Sequence, residues 1–135
     1  MIKHCYPVKV YYKDIDQMGI VYYSRYFEYF EEARTEMLSA IGLKYSEVEE
    51  QGYMMPVIEA YSKYKKGAPF EQEILIETQI SEPPKARIKI NYEVKLKDGD
   101  DVLMNGYTIH AFTNRAGRPV KMPKHIMKIM NAYFK

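Results

Sequence analysis

Apolar residues recur along this chain with two different periods. Tyr26, Phe30, Ala33, Met37 and Ala40 follow one another at spacings of four and three, the stripe of an amphipathic helix, and Phe27, Tyr29, Leu38 and Ile41 widen it. A stripe this broad predicts a helix wrapped by a large apolar surface. Ser24 stands where an N-cap belongs and Gly42 where a helix stops, and the segment SEVEEQG predicts one more short helical turn before Tyr53.

Elsewhere the period is two. Ile74, Ile76, Thr78 and Ile80 alternate along one stretch, and Ile88, Ile90, Tyr92, Val94 and Leu96 alternate with Arg87, Lys89, Asn91, Glu93 and Lys95, which predicts two strands. KDGD at 97–100 reads as a hairpin turn, because Asp98 and Gly99 tolerate positive φ, so residues 102–113 are expected to pair antiparallel with the strand before. A further strand is expected over 57–64 with Pro56 at its start. NRAGRP marks a turn after Thr113, and 124–134 predicts a short terminal helix or tail. Near the beginning, Val8, Val10 and Tyr12 alternate with Lys9, Tyr11 and Lys13, a short strand that runs into an acidic turn at 14–19.

The order of strand, long helix and successive antiparallel strands predicts an α+β fold with one helix against one curved sheet. A length of 135 residues with no repeat or linker fits a single domain over 1–135, and 47% hydrophobic residues suffice for its core. The net charge of +2 is far from the cationic surface of a protein whose main partner is nucleic acid, yet it is compatible with a polyanionic small ligand. Cys5 is the only cysteine, so an internal disulfide is excluded. The first residues lack the apolar stretch of a secretory signal, and no apolar run approaches the roughly 20 residues of a bilayer span. A cytoplasmic protein with no membrane span is expected.

Candidate chemistry gathers between Asp14 and Ser24. Asp14 and Asp16 lie two apart and would share a face of a strand that persisted, but the turn at Gly19 separates their fates, and Asp16 is nearer the start of the helix. An aspartate carboxylate can act as a nucleophile or as a general base toward water, but it cannot stabilise an oxyanion. Backbone N–H groups around Tyr23 and Ser24 can, because they lie at the helix N-terminus with its partial positive charge. Spacing alone also allows an ordinary acidic turn in which Asp16 caps or solvates the start of the helix. Tyr22, Tyr26 and Phe30 fit either an acyl pocket or plain core. His4, His110 and His125 are scattered with no cysteine partner, so no metal site is expected, and His110 reads as a satisfied sheet residue. Cys5 has no histidine and acid partners in motif, and a GxSxG elbow is absent.

The segment VYYKDIDQMGIVYYSRYFEYFEEARTEML resembles the signature of the 4-hydroxybenzoyl-CoA thioesterase family, and most of all its short bacterial, YbgC-like acyl-CoA thioesterase branch. The resemblance rests on the D-x-D-x-x-G-x-V-Y turn and the E-x-A-R-T-E-x-L helix, with weaker support from APFEQEILIET and FTNRAGRPVKMP. It implies a hotdog fold, a curved antiparallel sheet wrapped around one long central helix, assembled as a homodimer or homotetramer. It further implies that Asp16 is the catalytic carboxylate and that the backbone amide of Tyr23 polarises the thioester carbonyl. Many bacterial members carry a histidine where this chain has Tyr23, whereas the hydroxybenzoyl-CoA enzymes resemble it in having tyrosine.

The function expected on these grounds is hydrolysis of an acyl thioester to free acid and CoA. Gly19, Tyr22 and Tyr26 are expected at the substrate. CoA is part of that substrate, so no separate cofactor is expected, and its phosphates call for cations at the pocket mouth, for which Lys85 and Arg87 are the candidates, ahead of Arg115 and Arg118. An acyl carrier protein could replace CoA as the carrier. The alternative is a non-catalytic hotdog protein that binds acyl-CoA or acyl-carrier protein, since fold does not dictate function. A hydratase ranks last, because no histidine follows Asp16 before His110.

Overall fold

The computed structural model describes residues 1–134; Lys135, the last residue of the expected domain, lies outside the described residues. In chain order the elements are β1 (Ile2–Lys9), α1 (Arg25–Ala40), α2 (Tyr45–Glu50), β2 (Tyr53–Met54), β3 (Val57–Tyr64), β4 (Glu73–Ile80), β5 (Ile88–Leu96), β6 (Val102–His110), β7 (Thr113–Asn114) and α3 (Lys124–Asn131), closed by a 3-10 turn at Ala132–Phe134. Five strands form one sheet in the order β1-β4-β5-β6-β3, every neighbouring pair antiparallel, and β2 pairs with β7 in a small separate ladder.

The two periodicities meet in the core. Helix α1 buries Tyr26, Tyr29, Phe30, Ala33, Met37 and Leu38, and β4 and β5 turn Ile74, Ile76, Ile80, Ile88, Ile90, Tyr92 and Val94 inward. Phe30 stacks on Tyr92 with ring centroids 4.1 Å apart and planes 9° from parallel. Full burial of a side chain of this size contributes about 1.5–3 kcal/mol, so truncating Phe30 would weaken the hold of the helix on the sheet by about that much. Past Ala40 the helix stops where Gly42 takes φ +88° and the Leu43 N–H bonds back to the Leu38 carbonyl.

Four expectations are corrected. The first strand starts earlier and ends at Lys9; Tyr12–Asp14 instead forms a 3-10 turn, so Cys5 lies within β1 rather than before it. Ser24 has αR geometry and makes no side-chain cap, because the first turn is closed by its backbone. Ala40 is exposed, since the stripe has rotated off the sheet by the last turn. The last long strand ends at His110, where the chain leaves β6 and Thr113 crosses to pair with β2.

Two features place the site. Gly106 on β6 has no room for a Cβ, which would lie 2.3 Å from the Tyr61 carbonyl, so β3 can approach closely along the sheet edge. On β6 an extra residue at Leu103 bulges the ladder, and its carbonyl accepts both the Lys65 and the Lys66 N–H just past β3. The chain then turns through Gly67, Ala68 and Pro69 beneath the start of α1.

Candidate active site

Residues 15–21 fold back on themselves ahead of α1. Ile15 and Val21 bridge antiparallel, the Asp16 N–H bonds to the Ile20 carbonyl at 2.9 Å, and the Gly19 N–H bonds to the Asp16 carbonyl at 3.1 Å. Gly19 closes this turn at φ +77°, a conformation that costs a side-chain-bearing residue more. The segment after β3 braces the turn: Ile20 bridges Pro69, the Val21 N–H bonds to the Ala68 carbonyl, and Gly67 packs so tightly that a Cβ there would meet Ile20 at 2.5 Å.

This folding separates the two aspartates. Asp14 is buried: its Oδ2 accepts the Tyr11 N–H at 2.9 Å, its Oδ1 lies 3.7 Å from Arg25 Nε, and its own carbonyl accepts the Tyr22 N–H. Tyr29 lies beside it, and burial first, then the Asp14 carboxylate, push the Tyr29 phenol up. Asp16 is half-buried in a cleft of about 280 Å³, lined also by Met18, Ile20, Val21, Tyr23, Tyr26, Tyr64, Lys65, Lys66 and Gly67. The Met18 N–H holds Asp16 Oδ1 at 2.8 Å; Oδ2 has no donor among the described residues. One carboxylate oxygen is anchored and the other is open to a reacting group.

The helix start supplies the complementary charge. The Arg25 N–H bonds to the Tyr22 carbonyl at 2.9 Å and the Phe27 N–H to the Ser24 carbonyl at 3.3 Å, while the N–H groups of Tyr23 and Ser24 have no backbone acceptor among the described residues. Two open donors therefore stand at the positive end of α1. Burial pushes the Tyr26 phenol up to about 12, so it remains a neutral wall of the cleft. A carboxylate and apolar walls in one cleft, with Tyr23 of the helix start lining it, suit attack on a carbonyl whose oxygen becomes an anion.

Other expected site residues stand elsewhere. Tyr22 is exposed and tilts against Tyr23 with centroids 4.7 Å apart, outside the cleft lining, and Gly19 shapes the turn rather than the wall. Phe30 is core. Lys85 and Arg87 lie in the exposed loop between β4 and β5, beside the end of β5 that pairs through His110 to Val57. That end is about 20 Å along β3 from Tyr64. Arg115 donates to the Glu49 and Glu50 carbonyls and ties β7 to α2. Lys65, Lys66 and Tyr64 went unnoticed in the sequence, where the run KYKKG was the only signal. Among the described residues no group of three or more His, Cys, Asp or Glu could hold a metal ion. Among the described residues no helix is long and apolar enough to cross a membrane.

His110 is the buried histidine of the sheet. The Met55 carbonyl can only accept, so Nδ1 carries the proton at 3.1 Å and Nε2 accepts from Thr108 at 2.9 Å, whose hydroxyl in turn accepts from Tyr92 at 2.7 Å. Burial lowers the His110 pKa to about 4.

A curved sheet closed around a single long helix, with a carboxylate cleft at the helix start, defines the hotdog fold. Residues 10–130 match the thioesterase-like superfamily, and the chain belongs to that family. It is 30% identical over 124 residues to the acyl-CoA thioesterase YbgC of Haemophilus influenzae, covering 90% of this chain and 89% of that one. A solved hypothetical protein from Thermus thermophilus has a TM-score of 0.87 at 29% identity, covering 95% of this chain and 97% of the other. A mutant 4-hydroxybenzoyl-CoA thioesterase complexed with 4-hydroxybenzoyl-CoA shares the fold at a TM-score of 0.86 and 20% identity, covering 96% and 99%. By family the chain is a thioester hydrolase.

Proposed function

We propose that the chain is an acyl-CoA thioesterase in which Asp16 and the Tyr23 N–H work on opposite sides of the thioester carbonyl. The observation that carries this reading is their presence in one apolar cleft, each with an uncommitted polar atom. The carbonyl oxygen points at the helix start, where the N–H groups stabilise the developing oxyanion. Either Asp16 Oδ2 attacks the carbonyl carbon, expelling CoA thiolate and leaving a mixed anhydride that water hydrolyses, or it takes a proton from a water that attacks directly. In both routes the C–S bond breaks, the thiolate gains a proton, and water supplies the acid's new oxygen. Met18, Ile20, Tyr26 and Tyr64 receive the acyl group.

Assembly is part of the proposal. Among the described residues strand β3 has one neighbour and an open edge that exposes Val57, Ile58, Tyr61 and Tyr64, so pairing with β3 of a second copy about a two-fold axis would cover it. Antiparallel pairing sets the Val57 end of one strand beside the Tyr64 end of the other. Lys85 and Arg87 of the partner subunit, two strand spacings or about 10 Å further, then approach the cleft from the side where CoA phosphates need cations. A pair of such dimers makes the proposed tetramer.

Asp16→Asn keeps the side-chain shape and the Met18 bond but removes the charge. It is expected to lower acyl-CoA turnover by at least about 100-fold while leaving the melting temperature within a few degrees. Substantial turnover in the variant would remove Asp16 from the chemistry, and tight acyl-CoA binding without turnover by either form would make the chain a binding protein.

A further inference from the structure

We infer that Tyr64 is a positioning residue: through the Tyr23–Ser24 peptide it fixes and strengthens the amide donors at the start of α1. The inference rests on the proposed thioesterase reading for its kinetic consequence, but its structural basis is independent of it.

In a helix that continued its ladder backwards, the Tyr23 carbonyl would receive the Phe27 N–H. Here the Phe27 N–H goes to Ser24 instead, and the Arg25 N–H goes to Tyr22, so the Tyr23 carbonyl is left outside the helical ladder. Its partner is the Tyr64 hydroxyl, at 3.1 Å, reached from the last residue of β3 across 41 positions of sequence. A carbonyl can only accept, so the single Tyr64 proton points at Tyr23, and the Ser62 hydroxyl, 2.9 Å from the same oxygen, must donate into it. The donors run in one direction, from Ser62 to Tyr64 to the Tyr23 carbonyl, and each bond polarises the next.

A trans peptide sets its N–H opposite its C=O. Held by Tyr64 on its carbonyl side, the Tyr23–Ser24 peptide directs the Ser24 N–H away from Tyr64, out of the helix N-terminus. The preceding peptide is held in the same manner, its Tyr22 carbonyl taken by Arg25, which leaves the Tyr23 N–H facing outward. Electron density drawn to the bound carbonyl oxygen also makes the Ser24 N–H a stronger donor. Packing supports the same geometry: the Tyr64 ring meets Tyr23 edge-on at 6.4 Å and Tyr26 at 5.6 Å, so its hydroxyl is aimed by two aromatic contacts. The start of α1 is thus set by the sheet edge as well as by its own chain, and Tyr23, the helix-start residue that lines the cleft, is held through its own carbonyl by Tyr64.

Tyr64→Phe separates hydroxyl from ring, because both aromatic contacts survive. With the wild type and Asp16→Asn measured in parallel, the kcat for an acyl-CoA is expected to fall about three- to tenfold with KM within about twofold, the worth of one hydrogen bond felt in the transition state. Ser62→Ala should lower kcat in the same direction by a smaller factor. A purely packing or pocket role would leave kcat alone and move KM. The second readout is independent of catalysis: in amide NMR spectra, Tyr64→Phe should move the Ser24 resonance more than those in the middle of α1. An unchanged kcat in Tyr64→Phe beside an active wild type and inactive Asp16→Asn, or an unmoved Ser24 resonance, would overturn the inference. An inactive wild type, or an active Asp16→Asn, would instead overturn the thioesterase reading, and the Ser24 resonance would still decide whether Tyr64 holds this peptide.

Discussion

Asp14 Oδ2 accepts the Tyr11 N–H and Oδ1 lies 3.7 Å from Arg25 Nε, in a residue only 4% exposed; Asp16, two residues on, opens into the cleft. Removing a buried acceptor strands its donor, so Asp14→Ala is expected to lower the unfolding free energy by about 1–3 kcal/mol in chemical denaturation, whereas Asp16→Asn should change it little. Equal stability of Asp14→Ala and wild type would contradict the structural role given to Asp14. Asp16 stood out in the sequence as a candidate because a turn glycine and a helix start follow it at fixed spacing. It left the fate of Asp14 open, since the 3-10 turn that carries Asp14 inward breaks the alternation read through Tyr12. Tyr64 could not be found there at all: its partner is 41 positions away, and only strand order brings the two together.

At the level of elements, periodicity identified α1, β4 and β5 well, because each lays a continuous apolar face on one core, whereas β3, exposed along nearly its whole length, was placed by Pro56 at its start. It did less well where pairing rather than burial decides the boundary, as at the end of β6 and at the two-residue β2 and β7. The network joining β5, β6 and the Met55 loop carries its own prediction. His110 is neutral in the folded protein with a pKa lowered to about 4, against an ordinary value of 6.5, so the unfolded chain binds the proton first as pH falls. Its contribution is whole above pH 6.5 and is lost progressively toward pH 4, about 3 kcal/mol across that window. Denaturation of the wild type at pH 7, 5.5 and 4.5 should show this loss, and His110→Gln, which cannot titrate, should show a shallower slope. Parallel slopes would mean that His110 titrates normally in the fold.

For the whole molecule, the edge of the sheet is where the proposed assembly is tested. Among the described residues β3 has no neighbour on its outer side and exposes Val57, Ile58, Tyr61 and Tyr64, and such an edge is a template for a second strand. Sedimentation at micromolar concentration is expected to give a dimer or tetramer, and Ile58→Lys to shift it toward monomer with loss of turnover, because the partner's cations leave the cleft. A wild-type monomer with full activity would contradict this assembly. Such pairing is not legible in periodicity, which reports which face is buried but not which edge is covered.

The most direct test of the central claim is thiol release from acetyl, butyryl, hexanoyl, palmitoyl, benzoyl and hydroxybenzoyl thioesters of CoA by the wild type and Asp16→Asn. Turnover of at least one thioester by the wild type, lost in Asp16→Asn, is the predicted result. Turnover that survives the substitution, or none by the wild type on any of the six, would contradict it.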